Sequence, residues 1–247
     1  MLKQHKFISF VWGLLFLIVL QIFATPEPVF RFLVPAFLLY VAVVTAYNRW
    51  YLLQAQKYNF WIALRPMLLL FSGFGLFLII PSQFLRGLFL IISVAVITFF
   101  EIILGNFAEN ILLNETLLIA FGLFFSFAAF YQYTPGYGFL YLAGVFAGSS
   151  LLARSFYEFT PQPASGKLAG SLILGLFCGE FFWALNFLPL HFSALAIILF
   201  NLFYFCLILN YYYLFHILNF KKIQFHLFLI AGCSLAVLIA TPWKIIQ

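Results

Sequence analysis

The segment Lys167–Pro189 reads KLAGSLILGLFCGEFFWALNFLP, an apolar span that contains one carboxylate, that of Glu180. A run of this length and apolarity is typical of a transmembrane helix, which needs about 20 residues to cross a hydrocarbon core of about 30 Å. Counting about 1.5 Å per residue from Leu168 places Glu180 roughly 18 Å into that core. An ionisable side chain at this depth indicates a functional site or a buried polar contact.

The composition of the whole chain matches that of this span. Of its 247 residues, 66% are hydrophobic and 7% are charged, and the mean hydropathy is +1.13. Soluble domains are about 45–50% apolar and about 25% charged. This chain therefore has more apolar residues than the core of a soluble protein could bury. The sequence predicts an all-α, polytopic integral membrane protein, with residues 1–247 forming a single transmembrane domain in a membrane that we expect to be the bacterial plasma membrane.

Hydropathy divides the chain into membrane spans separated by short connections. A window of about 19 residues predicts nine spans. Turn residues, proline above all, separate several of them. The predicted spans are 7–24, 29–47, 61–80, 84–105, 111–131, 137–154, 168–188, 192–216 and 223–241.

The basic residues predict the orientation. Cytoplasmic loops of membrane proteins carry an excess of Lys and Arg. With nine spans, a cytoplasmic N-terminus gives the inner side nine of the twelve basic residues and therefore agrees with this rule. The inner residues are Lys3, Lys6, Arg49, Lys57, Arg65, Arg154, Lys167, Lys221 and Lys222, and the outer ones are Arg31, Arg86 and Lys244.

The types of polar residue exclude several kinds of chemistry. All six acidic residues are Glu, so sites built from paired aspartates cannot form. The sequence has no HExxH, GxSxG, P-loop or Rossmann glycine pattern, and its three cysteines lack metal-ligand spacing. We therefore expect no catalytic residue, metal or cofactor. The expected partners are the lipid bilayer, other membrane subunits or a second copy of the chain. The net charge of +6 suits membrane topology and lipid headgroups rather than nucleic acid.

Most polar residues within or beside the spans fall at the predicted inner side. Glu101, Glu115, Arg154 and His216 are the candidates for a binding site there. One interpretation is a vestibule that faces the cytoplasm. The other is an interfacial belt, in which these residues lie at the level of the lipid headgroups.

A second candidate cluster surrounds Glu180. Spans seven and eight form a hairpin in which Glu180 and Asn201 are expected at a similar depth. Spans six and seven each have two glycines four residues apart, and such pairs let helices approach closely. That approach would bring Ser149 and Ser150 beside Glu180. We expect Glu180 to be protonated there unless a cation reaches it, because neutralising the group costs less than burying its charge.

Three functions remain open from the sequence. The first is transport or channel-like handling of a small solute, ion or lipid. The second is an accessory or structural subunit of a larger membrane complex, in which the polar groups fasten helices. The third is a membrane-embedded enzyme acting on a lipid-linked substrate, with Glu101 or Glu180 as acid or base. It is the weakest, because acid–base catalysis usually needs a second positioned group.

Overall fold

The computed structural model describes residues 2–24, 30–54, 59–103, 109–158, 163–214 and 220–241. These residues form nine α-helices and a short 3-10 turn at Pro135–Tyr137, and none of them lies in a strand. The helices are α1 (Leu2–Ala24), α2 (Phe30–Gln54), α3 (Phe60–Ile79), α4 (Gln83–Ile102), α5 (Glu109–Tyr133), α6 (Gly138–Tyr157), α7 (Ala164–Leu185), α8 (Phe192–Leu214) and α9 (Phe220–Ala240).

All nine helices in the described part of the chain are long and apolar enough to cross a membrane. The all-α, multi-pass fold predicted from hydropathy is therefore confirmed, and the chain is a multi-pass membrane protein. The side on which α1 begins stays a prediction. Inter-residue contacts divide the chain into two compact units, residues 1–115 and residues 116–247. The single transmembrane domain also stays a prediction.

The first unit is a ring of four helices. The helix α1 packs against α2 and α4, and α3 completes the ring by packing against the same two helices. Gly13 permits the close approach of α1 to α4, because a Cβ atom there would lie 2.8 Å from Thr98 Oγ1 and 2.9 Å from the Val94 carbonyl oxygen. Phe16 and Phe37 are fully enclosed and meet edge to face in the core.

The second unit is built on the close pairing of α6 and α7. Gly175 lies directly against Ser150, and Gly179 lies against Phe146. The matching glycines of α6, Gly144 and Gly148, face the aromatic and aliphatic side chains of α5 instead. The glycine pair of α7 therefore joins α6 and α7 as predicted, whereas the glycine pair of α6 serves a different contact.

The helix α9 is the peripheral helix of the second unit. It packs on α8, and no residue of its apolar window from Ile223 to Ala240 is buried. Its attachment is polar: Asn201 Nδ2 donates to Ser234 Oγ over 3.1 Å, and the His226 ring lies between the hydroxyls of Tyr204 and Tyr212 at 3.0 and 3.3 Å.

Two helix boundaries differ from the predicted spans in a way that matters for the polar residues. The helix α2 continues to Gln54, seven residues beyond the predicted end of its span. The helix α7 runs from Ala164 to Leu185 rather than from 168 to 188. Glu180 is therefore about 8 Å from the last residue of α7, and its depth in the membrane stays a prediction.

Candidate functional site

A buried carboxyl group at the end of α4 forms the centre of the candidate site. Glu101 is the second-last residue of α4, and only 2% of its surface is exposed. Its Oε1 accepts a 2.9 Å hydrogen bond from Nδ2 of Asn48, which projects from the last two turns of α2 and is fully enclosed. The carboxyl group and the amide thus join α2 and α4, which lie across the ring of the first unit from each other.

His5 closes the site from α1. Its Nε2 lies 2.8 Å from the main-chain carbonyl oxygen of Glu101, which is one of the carbonyls that an α-helix leaves unpaired at its C-terminal end. Because a carbonyl oxygen only accepts, Nε2 carries the hydrogen, and Nδ1 can accept from the Tyr47 hydroxyl at 3.2 Å. The imidazole stacks on Tyr51 with ring centroids 3.7 Å apart. These contacts fix the orientation of the His5 ring over the end of α4.

A buried ion pair lies at the same end of the first unit. Arg65 is in the second turn of α3 and is fully enclosed, and Glu115 near the start of α5 is 2% exposed. The Nε and Nη2 atoms of Arg65 both lie 2.8 Å from Oε2 of Glu115. Nη2 also donates to the Leu112 carbonyl oxygen over 2.9 Å. The two charges therefore compensate each other inside the protein.

The ion pair leaves Glu101 as the uncompensated acid of this region. Among the described residues no Lys or Arg forms a salt bridge with it. Its second oxygen, Oε2, is buried without a hydrogen bond, and so are Asn48 Oδ1 and Thr98 Oγ1. Thr98 lies one turn before Glu101 on α4, and therefore on the same side of that helix. Buried polar atoms are nearly always paired, so unpaired oxygens indicate a site for another atom.

The chemistry of these atoms limits what the site can hold. The one carboxylate of the site, next to the neutral amide of Asn48, balances a single positive charge. Oxygen ligands suit protons, water and hard cations rather than soft metals. No group of three or more His, Cys, Asp or Glu residues able to hold a metal ion occurs in the described part of the chain. The arrangement therefore fits a proton or a monovalent cation.

The cluster expected around Glu180 does not form. Glu180 is exposed at the side of α7 and lines an apolar groove of about 430 Å³ with residues such as Phe146 and Trp183. The buried stripe of α7 runs through Gly175, Cys178, Gly179 and Phe182. Because consecutive residues are about 100° apart on a helix, packing the glycines against α6 turns Glu180 out of the core.

The other members of that cluster have different neighbours. Asn201 is about 14 Å into α8, which is deeper than Glu180 is in α7, and its amide bonds to Ser234. Ser149 donates to carbonyl oxygens of its own helix, and the hydroxyl of Ser150 lies against Gly175. The predicted contact between Glu180 and these three residues is therefore wrong. Whether any of the four has a functional role stays a prediction.

The remaining candidates divide between buried and undescribed positions. Glu101 and Glu115 are enclosed by protein, and whether they lie at the level of the lipid headgroups stays a prediction. Arg154 is buried in the second unit and forms an ion pair with Glu158, which is four residues later and 22% exposed. His216 lies outside the residues that the structure describes.

Sequence reasoning missed three residues of this region, namely His5, Asn48 and Arg65. His5 is four residues from the N-terminus of the sequence, and only 2% of its surface is exposed. Asn48 lies beyond the predicted end of span two, and Arg65 was taken only as an indicator of topology. The signal for Arg65 was its position one turn inside an apolar span, where a charged residue usually faces the protein interior and a partner of opposite charge.

Comparisons of the chain with protein-family models, with curated proteins and with solved structures find no match. An inference about its function therefore has to be drawn from the geometry of the buried polar residues.

Proposed function

We propose that the protein transports a proton or a monovalent cation and that Glu101 is the group that binds it. The observation that supports this proposal is the buried carboxyl group of Glu101, which has one oxygen bonded to Asn48 and the other unpaired, with no basic side chain bridged to it among the described residues. A buried carboxylate without a partner is costly, so it has to take up a proton or a cation.

The position of the site supports access from one side of the membrane. Glu101 is next to the last residue of α4, and Asn48 is about 9 Å from the end of α2. An ion entering from this side would cross only one or two helical turns before it meets Oε2 of Glu101. Asn48 holds the carboxyl group of Glu101 and His5 holds its main chain, so both are positioning residues in this proposal.

The test is ion flux into proteoliposomes that contain purified protein. One series imposes a pH gradient without alkali metal ions and follows a trapped pH-sensitive dye. The other imposes a Na⁺ or K⁺ gradient at constant pH and follows uptake of the labelled ion. We expect flux in one series for the wild type and at least a tenfold loss in Glu101→Gln, which keeps the acceptor for Asn48 and removes the charge.

Glu158→Gln is the matched control, because it makes the same change at a carboxyl group of the second unit that is 22% exposed and paired with Arg154. It should transport like the wild type. Flux in Glu101→Gln equal to the wild type would refute the proposal, and so would wild-type flux no greater than in liposomes without protein. If Glu101→Gln changed the stability of the protein but not the ion flux, the carboxyl group would serve only to hold helices together, as the subunit hypothesis requires.

A further inference from the structure

A groove runs along the outer surface of the first unit between α2 and α3. Its volume is about 660 Å³, within the range of sites that bind small molecules. One wall follows a single stripe of α2 from Leu38 to Leu53, and Met67 and Phe71 of α3 form part of the other. We call this feature the α2–α3 groove. In a membrane protein its apolar walls face the lipid.

The polar residues of the α2–α3 groove lie towards one end. Arg49 and Trp50 are exposed and lie in the last two turns of α2, whereas Leu38 and Val41 line the groove further from that end. Trp is typical of the membrane interface, and Arg binds phosphate groups through its planar guanidinium. The groove thus has a cationic end at the level of the headgroups and an apolar remainder.

The length of the groove agrees with one leaflet of a bilayer. Arg49 and Leu38 are eleven residues apart on α2, which corresponds to about 17 Å along the helix axis. Half of a hydrocarbon core of about 30 Å is about 15 Å. A lipid with its headgroup at Arg49 would therefore place one acyl chain along the apolar part as far as Leu38.

We propose that the α2–α3 groove binds an anionic phospholipid, with its phosphate at Arg49 and an acyl chain between α2 and α3. Thr45 supplies a further polar contact. It lines the groove one helical turn from Arg49 towards the apolar end, and its hydroxyl is buried without a hydrogen bond. The ester carbonyls of a phospholipid follow the phosphate in the same order, so a rotation of the Thr45 side chain would let its hydroxyl donate to one of them.

The proposal can be tested by tryptophan quenching in bilayers of phosphatidylcholine. Phosphatidylglycerol or phosphatidylcholine with the same brominated acyl chains is added, and quenching of the protein fluorescence gives the relative binding constant of the two lipids. We expect the wild type to prefer phosphatidylglycerol about fivefold, the effect of one basic contact with an anionic headgroup. Trp50→Phe should remove most of the selective quenching, because Trp50 lines the groove.

Three further variants separate the groove from general surface charge. Arg49→Gln should reduce the preference to about one, whereas Lys6→Gln, which removes an exposed charge of α1 outside the groove, should leave it fivefold. Ala42→Phe fills the groove without altering its charge and should also abolish the preference. An unchanged preference in Arg49→Gln, an equal loss in Lys6→Gln, or equal binding of both lipids by the wild type would each overturn the proposal.

Discussion

The buried ion pair between Arg65 and Glu115 makes a strong prediction about stability. In Arg65→Met the carboxylate of Glu115 loses two charge-assisted contacts of 2.8 Å and remains enclosed at 2% exposure. Removing one partner of a buried ion pair costs about 3–5 kcal/mol, since the other charge is left uncompensated. We therefore expect Arg65→Met to lower the free energy of unfolding by about 3–5 kcal/mol, and Glu115→Leu to do the same.

The double variant Arg65→Met/Glu115→Leu removes both charges together. Replacing a buried ion pair with apolar side chains of similar volume is often neutral. We expect the double variant to lie within about 2 kcal/mol of the wild type and therefore to be more stable than either single variant. The measurement is the free energy of unfolding in mixed micelles, obtained by titration with a denaturing detergent and followed by circular dichroism.

Arg154 and Glu158 supply the matched control pair. Glu158 is 22% exposed and can be solvated without its partner, so Arg154→Met should cost less than Arg65→Met, which leaves a fully enclosed carboxylate. The reasoning about the buried pair would be refuted if the effects of Arg65→Met and Glu115→Leu simply added in the double variant. It would also be refuted if Arg65→Met cost no more than Arg154→Met.

Two further predictions concern the second unit. Gly175→Ala should lower the free energy of unfolding by about 1–3 kcal/mol, because the new Cβ would overlap Ser150 Oγ and lie 2.8 Å from the Phe146 carbonyl oxygen. Gly232→Ala has nothing within 4 Å of its Cβ and should be neutral or stabilising by up to about 1 kcal/mol; equal effects in the two variants would contradict the packing argument. His226→Phe removes both tyrosine contacts and should accelerate amide hydrogen exchange in α9 but not in α6; unchanged exchange in α9 would show that these contacts do not hold it.

Hydropathy predicted the nine helices because the membrane imposes one strong constraint, namely a continuous apolar segment with internally paired backbone groups. It failed at the end of α2, where Asn48, Arg49 and Tyr51 resemble a loop. The helix continues because other helices satisfy these side chains: Asn48 bonds to Glu101, and Tyr51 stacks on His5. Such tertiary partners are separated by tens of residues and leave no local pattern in the sequence.

The residues of the candidate site could be predicted from the sequence only in part. Glu101 and Glu115 could be selected because acids near apolar spans are rare, but their partners could not be named from spacing alone. The error about Glu180 was avoidable from helical periodicity, since the stripe containing Gly175, Gly179 and Phe182 excludes it. The depth of Asn201 relative to Glu180 could not be predicted from the sequence. Residues 186–191 connect α7 to α8 without being helical, so counting residues from the turn does not give equal depths on the two helices.

The close approach of α6 to α7 at Gly175 also bears on how this sequence can diverge. A side chain at position 175 would meet a main-chain oxygen, which no substitution elsewhere can remove, and the same holds at Gly13 against Val94. Gly232, which faces open space, carries no such restriction. We expect distant relatives of this chain to retain glycine at positions 13 and 175, whereas the sequence of α9 should vary more widely. We expect these two glycines, together with an Arg at position 65 and a Glu at position 115, to be the positions by which distant relatives can be aligned.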